Sequence, residues 1–153
     1  MAQKYEIDST DKRIIKLMEQ DARMPFLEMA RKIGVSGGTI HQRVEKLKEA
    51  GIIIGSSVQV DYAKLGHGVV VLLGIHLVNA RDIHKVIKKL EKLDEISDAY
   101  YTTGDYALIV KINVRDIDHF HDFLINKIQM IEEIQSTESF ISLKKVISKN
   151  IGI

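Results

Sequence analysis

Residues 25–51 read PFLEMARKIGVSGGTIHQRVEKLKEAG, and this run contains two amphipathic helix patterns on either side of a glycine. In the first pattern, apolar residues follow the i, i+3, i+4, i+7 spacing of a helix with one buried face: Phe26, Met29, Ala30 and Ile33. Gly34 is predicted to end this helix in the left-handed conformation, which glycine adopts without steric cost. A second helix is predicted to reach about Ala50 and to bury Ile40, Val44 and Leu47.

The residues around these two patterns complete a small bundle. Ser36 is predicted to cap the second helix, because its hydroxyl can accept a bond from a free N–H of the first turn. The apolar position after Ile40 is Val44, one residue later than in the commonest spacing, so we expect a turn about one residue longer than usual. Upstream, Asp8 can cap a further helix over residues 9–20, whose apolar face holds Ile14, Leu17 and Met18. Three short helices with a glycine turn between the last two predict a helix-turn-helix domain over residues 1–51.

Positive charge is concentrated in this predicted domain. Between Arg31 and Lys48 five residues are basic and only Glu45 is acidic, a net charge of +4 in a chain whose net charge is +1. Such a patch suits phosphate contact, because each neutralised phosphate releases counterions. Glutamine and arginine on the outer face of the second helix can pair with adenine and guanine edges. The predicted DNA-binding residues are Ser36, Gly38, Thr39, His41, Gln42, Arg43 and Lys46. A purely structural or protein-binding bundle is the alternative.

The remainder of the chain predicts a second domain of mixed helices and strands. Residues 52–66 are predicted as a linker strand and hinge, since Ile52 to Val60 is rich in β-branched residues and glycine follows at Gly66. Over residues 67–153 the periodicity predicts strand 69–78, helix 81–93, strands 96–103 and 106–114, helix 116–130 and strand 134–147. Gly104-Asp105 is predicted as a two-residue hairpin. This βαββαβ order predicts a ferredoxin-like fold, so the whole chain is of the α+β class.

The apolar pattern of this second domain leads to three further expectations about burial and assembly. The first strand is mostly apolar, so we expect it to be buried on both faces. The last helix is expected to be buried through Ile117, Phe120, Leu124 and Ile128. Two helices can cover only one face of the sheet, and a long last strand leaves an open edge. We therefore expect the second domains of two chains to pair as a homodimer, which would place two reading heads about one helical turn apart on DNA.

Polar side chains gather at two places in this domain. One group surrounds the predicted hairpin at Tyr101, Thr103, Gly104 and Asp105, and the other lies near the start of the last strand at Gln129, Gln135, Ser136 and Thr137. A free amino acid needs donors for its carboxylate and an acceptor for its ammonium group, and both groups supply these. The residues alone also fit a structural explanation, because threonine and tyrosine favour strands and Gly-Asp favours turns.

Several other classes of protein are disfavoured. The chain has no cysteine, which excludes disulfides and thiolate metal sites. It has no apolar run near the length needed to span a bilayer and no secretion signal at its start, so a cytoplasmic protein is expected. His119 and His121 could suggest a metal site, but positions two apart on a helix face different directions. No nucleotide loop or nucleophile motif is present, so we predict no catalytic residues, no metal and no cofactor.

The order of these parts resembles the Lrp/AsnC family of bacterial and archaeal regulators over nearly the whole chain. Four runs carry the resemblance: VSGGTIHQRVEK at 35–46, YYTTG at 100–104, LINKIQ at 124–129 and IQSTE at 134–138. The resemblance implies a DNA-binding transcription regulator built from dimers that assemble to an octamer. It also implies an amino-acid effector held between neighbouring second domains, and the likeness to asparagine-responsive members favours asparagine. A constitutive DNA-binding regulator or architectural protein without an effector is the alternative.

Overall fold

The computed structural model describes residues 5–153, and these residues form two compact units. The first consists of residues 5–59 with residues 148–153, and the second of residues 60–147. Each unit has an apolar core of its own. The fold class is confirmed: a three-helix helix-turn-helix unit precedes a four-stranded antiparallel ferredoxin-like unit. The predicted boundaries at residues 51 and 66 stay a prediction.

The first unit contains three helices, α1 (Ser9–Gln20), α2 (Phe26–Ile33) and α3 (Gly37–Glu49). Asp8 caps α1, and its carboxylate accepts a bond from the Asp11 backbone N–H. Gly34 ends α2 in the left-handed conformation at φ 86° and ψ 36°, as its sequence position predicts. The core of the unit is built from residues on all three helices: Ile14, Met29, Ala30, Ile33, Ile40, Val44 and Leu47, together with Met24.

Two expectations about the first unit and its linker are wrong. The connection between α2 and α3 holds only Gly34, Val35 and Ser36, which is within the usual turn of three or four residues. No extra residue is needed, because Val44 lies four residues after Ile40 and three before Leu47, both spacings of one helix face. Residues 52–60 form no strand. A strand requires a hydrogen-bonded neighbour, and the sheet pairs none of these residues within the described chain.

The second unit alternates strands and helices in the predicted order. Its strands are β1 (Val69–Leu77), β2 (Ile96–Tyr101), β3 (Leu108–Val114) and β4 (Ile134–Ser142). Helix α4 (Ile83–Leu90) follows a 3-10 turn at Ala80–Asp82, and helix α5 (Ile117–Phe123) continues into a π-helical turn at Leu124–Ile128. The strands lie in the order β2-β3-β1-β4, and every neighbouring pair is antiparallel.

One face of this sheet is covered by the helices and the other is not. Val71, Leu73 and Ile75 of β1 point to the helices and are fully buried. Residues between them point to the opposite face, where Leu72 is 42% exposed. The expectation that β1 is buried on both faces is therefore wrong, because this chain supplies helices for one face only. We call the uncovered surface the open face, and its apolar members are Val70, Leu72, Tyr100, Ile109 and Phe140.

One loop, one strand end and one buried helix face in the second unit differ from prediction. The β2–β3 connection is not a two-residue hairpin: the last bond joins Thr102 N to Ala107 O, and Gly104 lacks the positive φ that such a turn needs. Strand β4 ends at Ser142 rather than at residue 147, because its partner β1 offers no residue before Val69. Ile117 is 50% exposed and Phe123 is buried instead. Phe120 and Ile128 are buried as expected, and the wider π turn lets Phe123 and Ile128, five residues apart, share the buried face.

Candidate DNA-binding and effector sites

The exposed surface of α3 carries most of the residues predicted to bind DNA. Gln42, Lys46 and His41 are exposed, and the His41 ring lies edge-on to Phe26 with centroids 5.8 Å apart. At the start of the helix, the Ser36 hydroxyl accepts a bond from the Thr39 N–H at 3.1 Å and lies 2.8 Å from the Thr39 hydroxyl. Donors at the start of a helix are favourable for a phosphate, and the outer side chains are free to meet base edges.

Arg43 has a different position from the other predicted DNA contacts. Its Nη1 donates to Asp8 Oδ2 at 2.7 Å and to Asp11 Oδ1 at 2.9 Å, so it joins α3 to the first turn of α1. The Asp11 side chain is only 1% exposed, and Tyr5 donates its hydroxyl to Asp11 Oδ2 at 3.0 Å. Because one end of the guanidinium is already bound, Arg43 is oriented along the bundle rather than straight outward. We call Tyr5, Asp8, Asp11 and Arg43 the α1–α3 latch.

The charges of the latch support one another. The backbone N–H of Asp11 and the guanidinium of Arg43 lower the pKa of Asp8. Hydrogen bonds to Asp11 and then to Asp8 raise the pKa of Arg43 above its usual value. Burial, followed by the bond to Asp11, raises the pKa of the Tyr5 hydroxyl. The latch therefore holds one guanidinium between two carboxylates beside the outer face of α3.

Sequence reasoning missed the latch partners, although a signal for them was present. Asp8 and Asp11 stand three residues apart at the start of α1 and form a reciprocal capping box, with Asp11 Oδ2 accepting from the Asp8 N–H at 3.2 Å. It also missed Arg13, which donates to the carbonyls of Lys32 and Ile33 at the end of α2. These bonds tie α1 to both helices of the helix-turn-helix and so fix the direction in which α3 presents its side chains.

The second unit contains a cavity of about 280 Å³ beside the β2–β3 loop, which we call the effector cavity. It brings together four of the eight residues predicted to bind an effector: Tyr101, Gly104, Asp105 and Gln135. Thr102, from the same polar group at the predicted hairpin, also lines it, together with four residues that were not predicted: His76, Leu77, Ala80 and Ala107. His76 and Leu77 at the end of β1 and Ala80 in the following turn are brought to the cavity by strand pairing, which no local sequence pattern reveals. The volume is close to the lower end of small-molecule sites, which begin at roughly 300 Å³.

Gln135 reaches this cavity because β4 contains a bulge. Ser136 pairs with His76 and Ile134 pairs with Leu77, so Gln135 is an extra residue with no partner on β1. A bulge redirects the side chain at the extra position and often lies beside a functional site. The four other predicted effector residues, Thr103, Gln129, Ser136 and Thr137, do not line the cavity. Thr137 pairs with Ile75 on the helix-covered side of the sheet, which turns it away.

A small aromatic cluster supports the wall of the effector cavity. Thr102 donates its hydroxyl to the Tyr106 carbonyl and so closes the β2–β3 loop. The Tyr106 ring lies over Gly74, where an added Cβ would come within 2.6 Å of it, and is 5.0 Å from the His76 ring. The Tyr106 hydroxyl donates to Glu138, and this bond raises the pKa of the tyrosine. The loop is thereby held against β1 and β4 at the mouth of the cavity.

The histidines of α5 do not form a metal site. Among residues 5–153, no group of three or more histidine and acidic side chains is close enough to hold a metal ion. His119 accepts a bond from the Arg115 N–H at its Nδ1, and its Nε2 lies 3.6 Å from Glu95, while His121 is well exposed. Within the same described residues, no helix is long and apolar enough to cross a membrane.

Comparison with known proteins gives a consistent result. The profile of the AsnC-type helix-turn-helix domain matches residues 7–48, and that of the Lrp/AsnC ligand binding domain matches residues 69–151. The chain is 49% identical over 147 residues to the regulatory protein AsnC of Haemophilus influenzae, covering 96% of this chain and 98% of that protein. It superposes on the structure of Escherichia coli AsnC with a TM-score of 0.93 at 46% identity, covering 97% and 100% of the two chains. A transcriptional regulator from Neisseria meningitidis, solved as a complex with L-Met, shares the fold with a TM-score of 0.89 at 17% identity over 97% of this chain and 96% of that one.

Proposed function

The chain belongs to the Lrp/AsnC family of transcription regulators, and on that premise we propose that it binds operator DNA through α3 under the control of an amino acid in the effector cavity. The observation that carries the proposal is the gathering of Tyr101, Gly104, Asp105 and Gln135 around one cavity. Three of these residues lie within residues 101–105 and Gln135 comes from the last strand, and they were predicted from their polar chemistry together with the family resemblance. A cavity that collects them supports a binding site better than a chance cluster of strand and turn residues would.

DNA recognition by this chain divides between two kinds of contact. Gln42 and Lys46 reach outward from the middle of α3, where glutamine can read an adenine edge and lysine can meet a base or a phosphate. Ser36, Gly38 and Thr39 lie at the start of the helix, where backbone N–H groups favour a phosphate. His41 flanks this surface. Arg43 acts first as the positioning residue of the α1–α3 latch, since its Nη1 is held by Asp8 and Asp11.

Asparagine is the effector that the cavity chemistry suits best. Asp105 is the one acidic residue of the lining and can accept bonds from the ligand ammonium group. Gln135 offers both a donor and an acceptor, which matches a side-chain amide. Aspartate would place a second carboxylate near Asp105 and set two acceptors against each other, so it should be rejected. Relatives of this chain carry the AsnC name, and the meningococcal regulator was solved with L-Met, which supports an amino acid as the ligand class.

We further propose that two copies pair through the open face and that the dimers assemble to an octamer in the cytoplasm. Tyr100 is 62% and Phe140 is 48% exposed on this face, beside Leu72. An apolar surface of this kind marks an interaction site more often than a solvated one. The open face has the same apolar surface in each copy, as a symmetric dimer interface requires. Pairing would bring two α3 helices to one operator, which lengthens the DNA site that is read.

Calorimetry of the purified protein against the twenty amino acids, followed by DNA titration, tests the effector. We expect asparagine to bind below millimolar concentration and to change DNA affinity or oligomer distribution, because a ligand shifts only equilibria between states that it binds differently. Binding of glutamine instead would overturn the choice of asparagine alone. Absence of binding by any amino acid would overturn the sensing role and leave a constitutive DNA-binding regulator.

A further inference from the structure

The exposed side of α4 carries a row of basic residues outside the helix-turn-helix unit. We call it the α4 stripe and define it by Arg81, His84, Lys85, Lys88 and Lys92, all of which are exposed. At about 100° per residue, His84, Lys85 and Lys88 fall within an arc of roughly 100° around the helix axis, while Arg81 lies in the 3-10 turn before α4 and Lys92 in the turn after it. The buried residues Ile83, Val86 and Leu90 lie on the opposite side. The helical part of the stripe therefore faces away from the core, and Arg81 and Lys92 are exposed just beyond the two ends of α4.

Part of this positive charge is not neutralised within the chain. Lys85 pairs with Asp82 at 2.7 Å, and the neighbouring Lys89 pairs with Glu133 at 2.6 Å. Arg81, Lys88 and Lys92 have no acidic partner within 4.0 Å among residues 5–153. From Arg81 to Lys92 five residues are basic and two are acidic, a net charge of +3.

This local charge stands out against the rest of the chain. The net charge of the whole chain is +1, and residues 31–48 contribute +4 while residues 81–92 contribute +3, which leaves −6 for all other residues. Positive charge is thus concentrated in three places: the α2–α3 region, α4, and residues 144–149, which contain three lysines and no acidic residue. A concentration of this kind on a nearly neutral chain favours a polyanionic partner over general solubility.

We propose that the α4 stripe is a second DNA contact that binds the phosphate backbone of a duplex without reading its sequence. The stripe consists mainly of lysines, which meet phosphates as point charges, and it contains no glutamine or asparagine; its single arginine, Arg81, lies in the 3-10 turn before α4. A membrane surface fits poorly, since an interfacial helix needs an apolar face to insert and that of α4 is in the core. An acidic protein is the remaining polyanion, and the experiment below distinguishes it from DNA.

This proposal rests on DNA binding by the helix-turn-helix unit. Once α3 holds a duplex, any part of that DNA that reaches a stripe does so at a high effective concentration, so a weak contact can add to overall affinity. Contact with phosphates increases the affinity for operator and non-operator DNA by the same factor, because phosphates are the same in every sequence. The stripe therefore lengthens the DNA engaged by the assembly without altering which operator is preferred.

The test is the double substitution Lys88→Gln/Lys92→Gln in the full-length chain, with DNA affinity measured by fluorescence anisotropy over a series of salt concentrations. Each lost phosphate contact lowers the slope of log affinity against log salt by about 0.9, so we expect a decrease of about 1.8. The duplex must extend well beyond one operator, and operator and non-operator duplexes should show the same decrease. Lys144→Gln/Lys145→Gln removes the same charge from an exposed segment outside the stripe and should leave the slope unchanged.

Lys88→Arg/Lys92→Arg retains the charge and should retain the slope, which separates loss of phosphate contact from loss of folding. A double glutamine variant with an unchanged slope would overturn the proposal and assign the stripe to an acidic protein or to solvent. A decrease of equal size in the Lys144/Lys145 control would also overturn it, because the effect would then not be specific to the stripe. Failure of the unsubstituted chain to bind any duplex would overturn the proposed function instead.

Discussion

Neighbouring residues on α3 have separate roles in this protein. Gln42 is exposed, whereas Arg43 crosses to Asp8 and Asp11 at the start of α1. Periodicity alone places Arg43 on the flank of the DNA-facing surface, because a helical wheel contains no information about a partner on another helix. The presence of a buried Asp11 decides between the two roles, since a carboxylate is rarely buried without a cation.

Gln42→Ala and Arg43→Ala are therefore expected to change different properties: the first the DNA sequence preference, the second the stability of the first unit. Gln42→Ala should relax sequence preference by about 1–3 kcal/mol at one base position and leave stability unchanged. Arg43→Ala leaves the Asp11 carboxylate buried without its cation, and should lower the free energy of unfolding of the first unit by about 1–3 kcal/mol. Urea unfolding and DNA binding to single-base operator variants measure the two effects. Equal stability of both variants would contradict the role of the latch.

The latch also makes the first unit sensitive to acid. The pKa of Asp8 is lowered in the folded chain from its ordinary 3.8 by the Asp11 N–H and by Arg43, so the folded form holds its proton less tightly than the unfolded form. Its contribution to stability is complete above pH 4 and is lost as the pH falls through the lowered value. Asp8→Asn should flatten this part of the stability–pH profile. Glu19→Gln removes the same charge elsewhere on α1 and should keep the acid dependence of the unsubstituted chain.

At the scale of helices and strands, the sequence predicted elements well wherever a residue pattern determines them locally. The bounds of α1 and the left-handed end of α2 at Gly34 follow from caps and periodicity, and the structure confirms both. Strand ends depend on partners elsewhere in the chain. The predicted strand at residues 52–60 and the predicted end of β4 are therefore wrong. The same dependence explains why the effector cavity was only partly predicted. The bulge at Gln135 and the position of His76 beside the cavity follow from strand register, which no single segment reveals.

The β2–β3 loop offers a direct test of the effector cavity. Gly104 has no atom within 4 Å of an added Cβ and no positive φ, so Gly104→Val should fold without strain. Its side chain would project into space that a ligand must occupy, which should abolish amino-acid binding while DNA binding by the unliganded protein is kept. Calorimetry and an anisotropy titration give the two readouts. Gly68→Val is a matched control, because that glycine is equally unobstructed and lies outside the cavity. Unchanged amino-acid affinity in Gly104→Val would place the effector elsewhere.

At the scale of the whole molecule, each unit has its own core, but only the second has an uncovered apolar sheet face. Assembly and DNA reading should therefore be separable. A fragment of residues 60–147 contains all four strands and both helices of the second unit. It should fold, form dimers or larger species, and show no sequence-specific DNA binding, because it lacks α3.

Light scattering on this fragment and on its Leu72→Asp variant locates the assembly surface. Leu72 is partly exposed at the middle of β1 and contributes little to the core, so a carboxylate there should be tolerated in the monomer. In a face-to-face pair the same carboxylate would be removed from water beside Lys111, which already pairs with Asp98, at a cost of several kcal/mol per ion, and the fragment should become monomeric. In the full-length chain, Leu72→Asp should then weaken operator binding strongly, because one α3 would act alone. A fragment that is monomeric without any substitution would instead place the dimer contact outside residues 60–147.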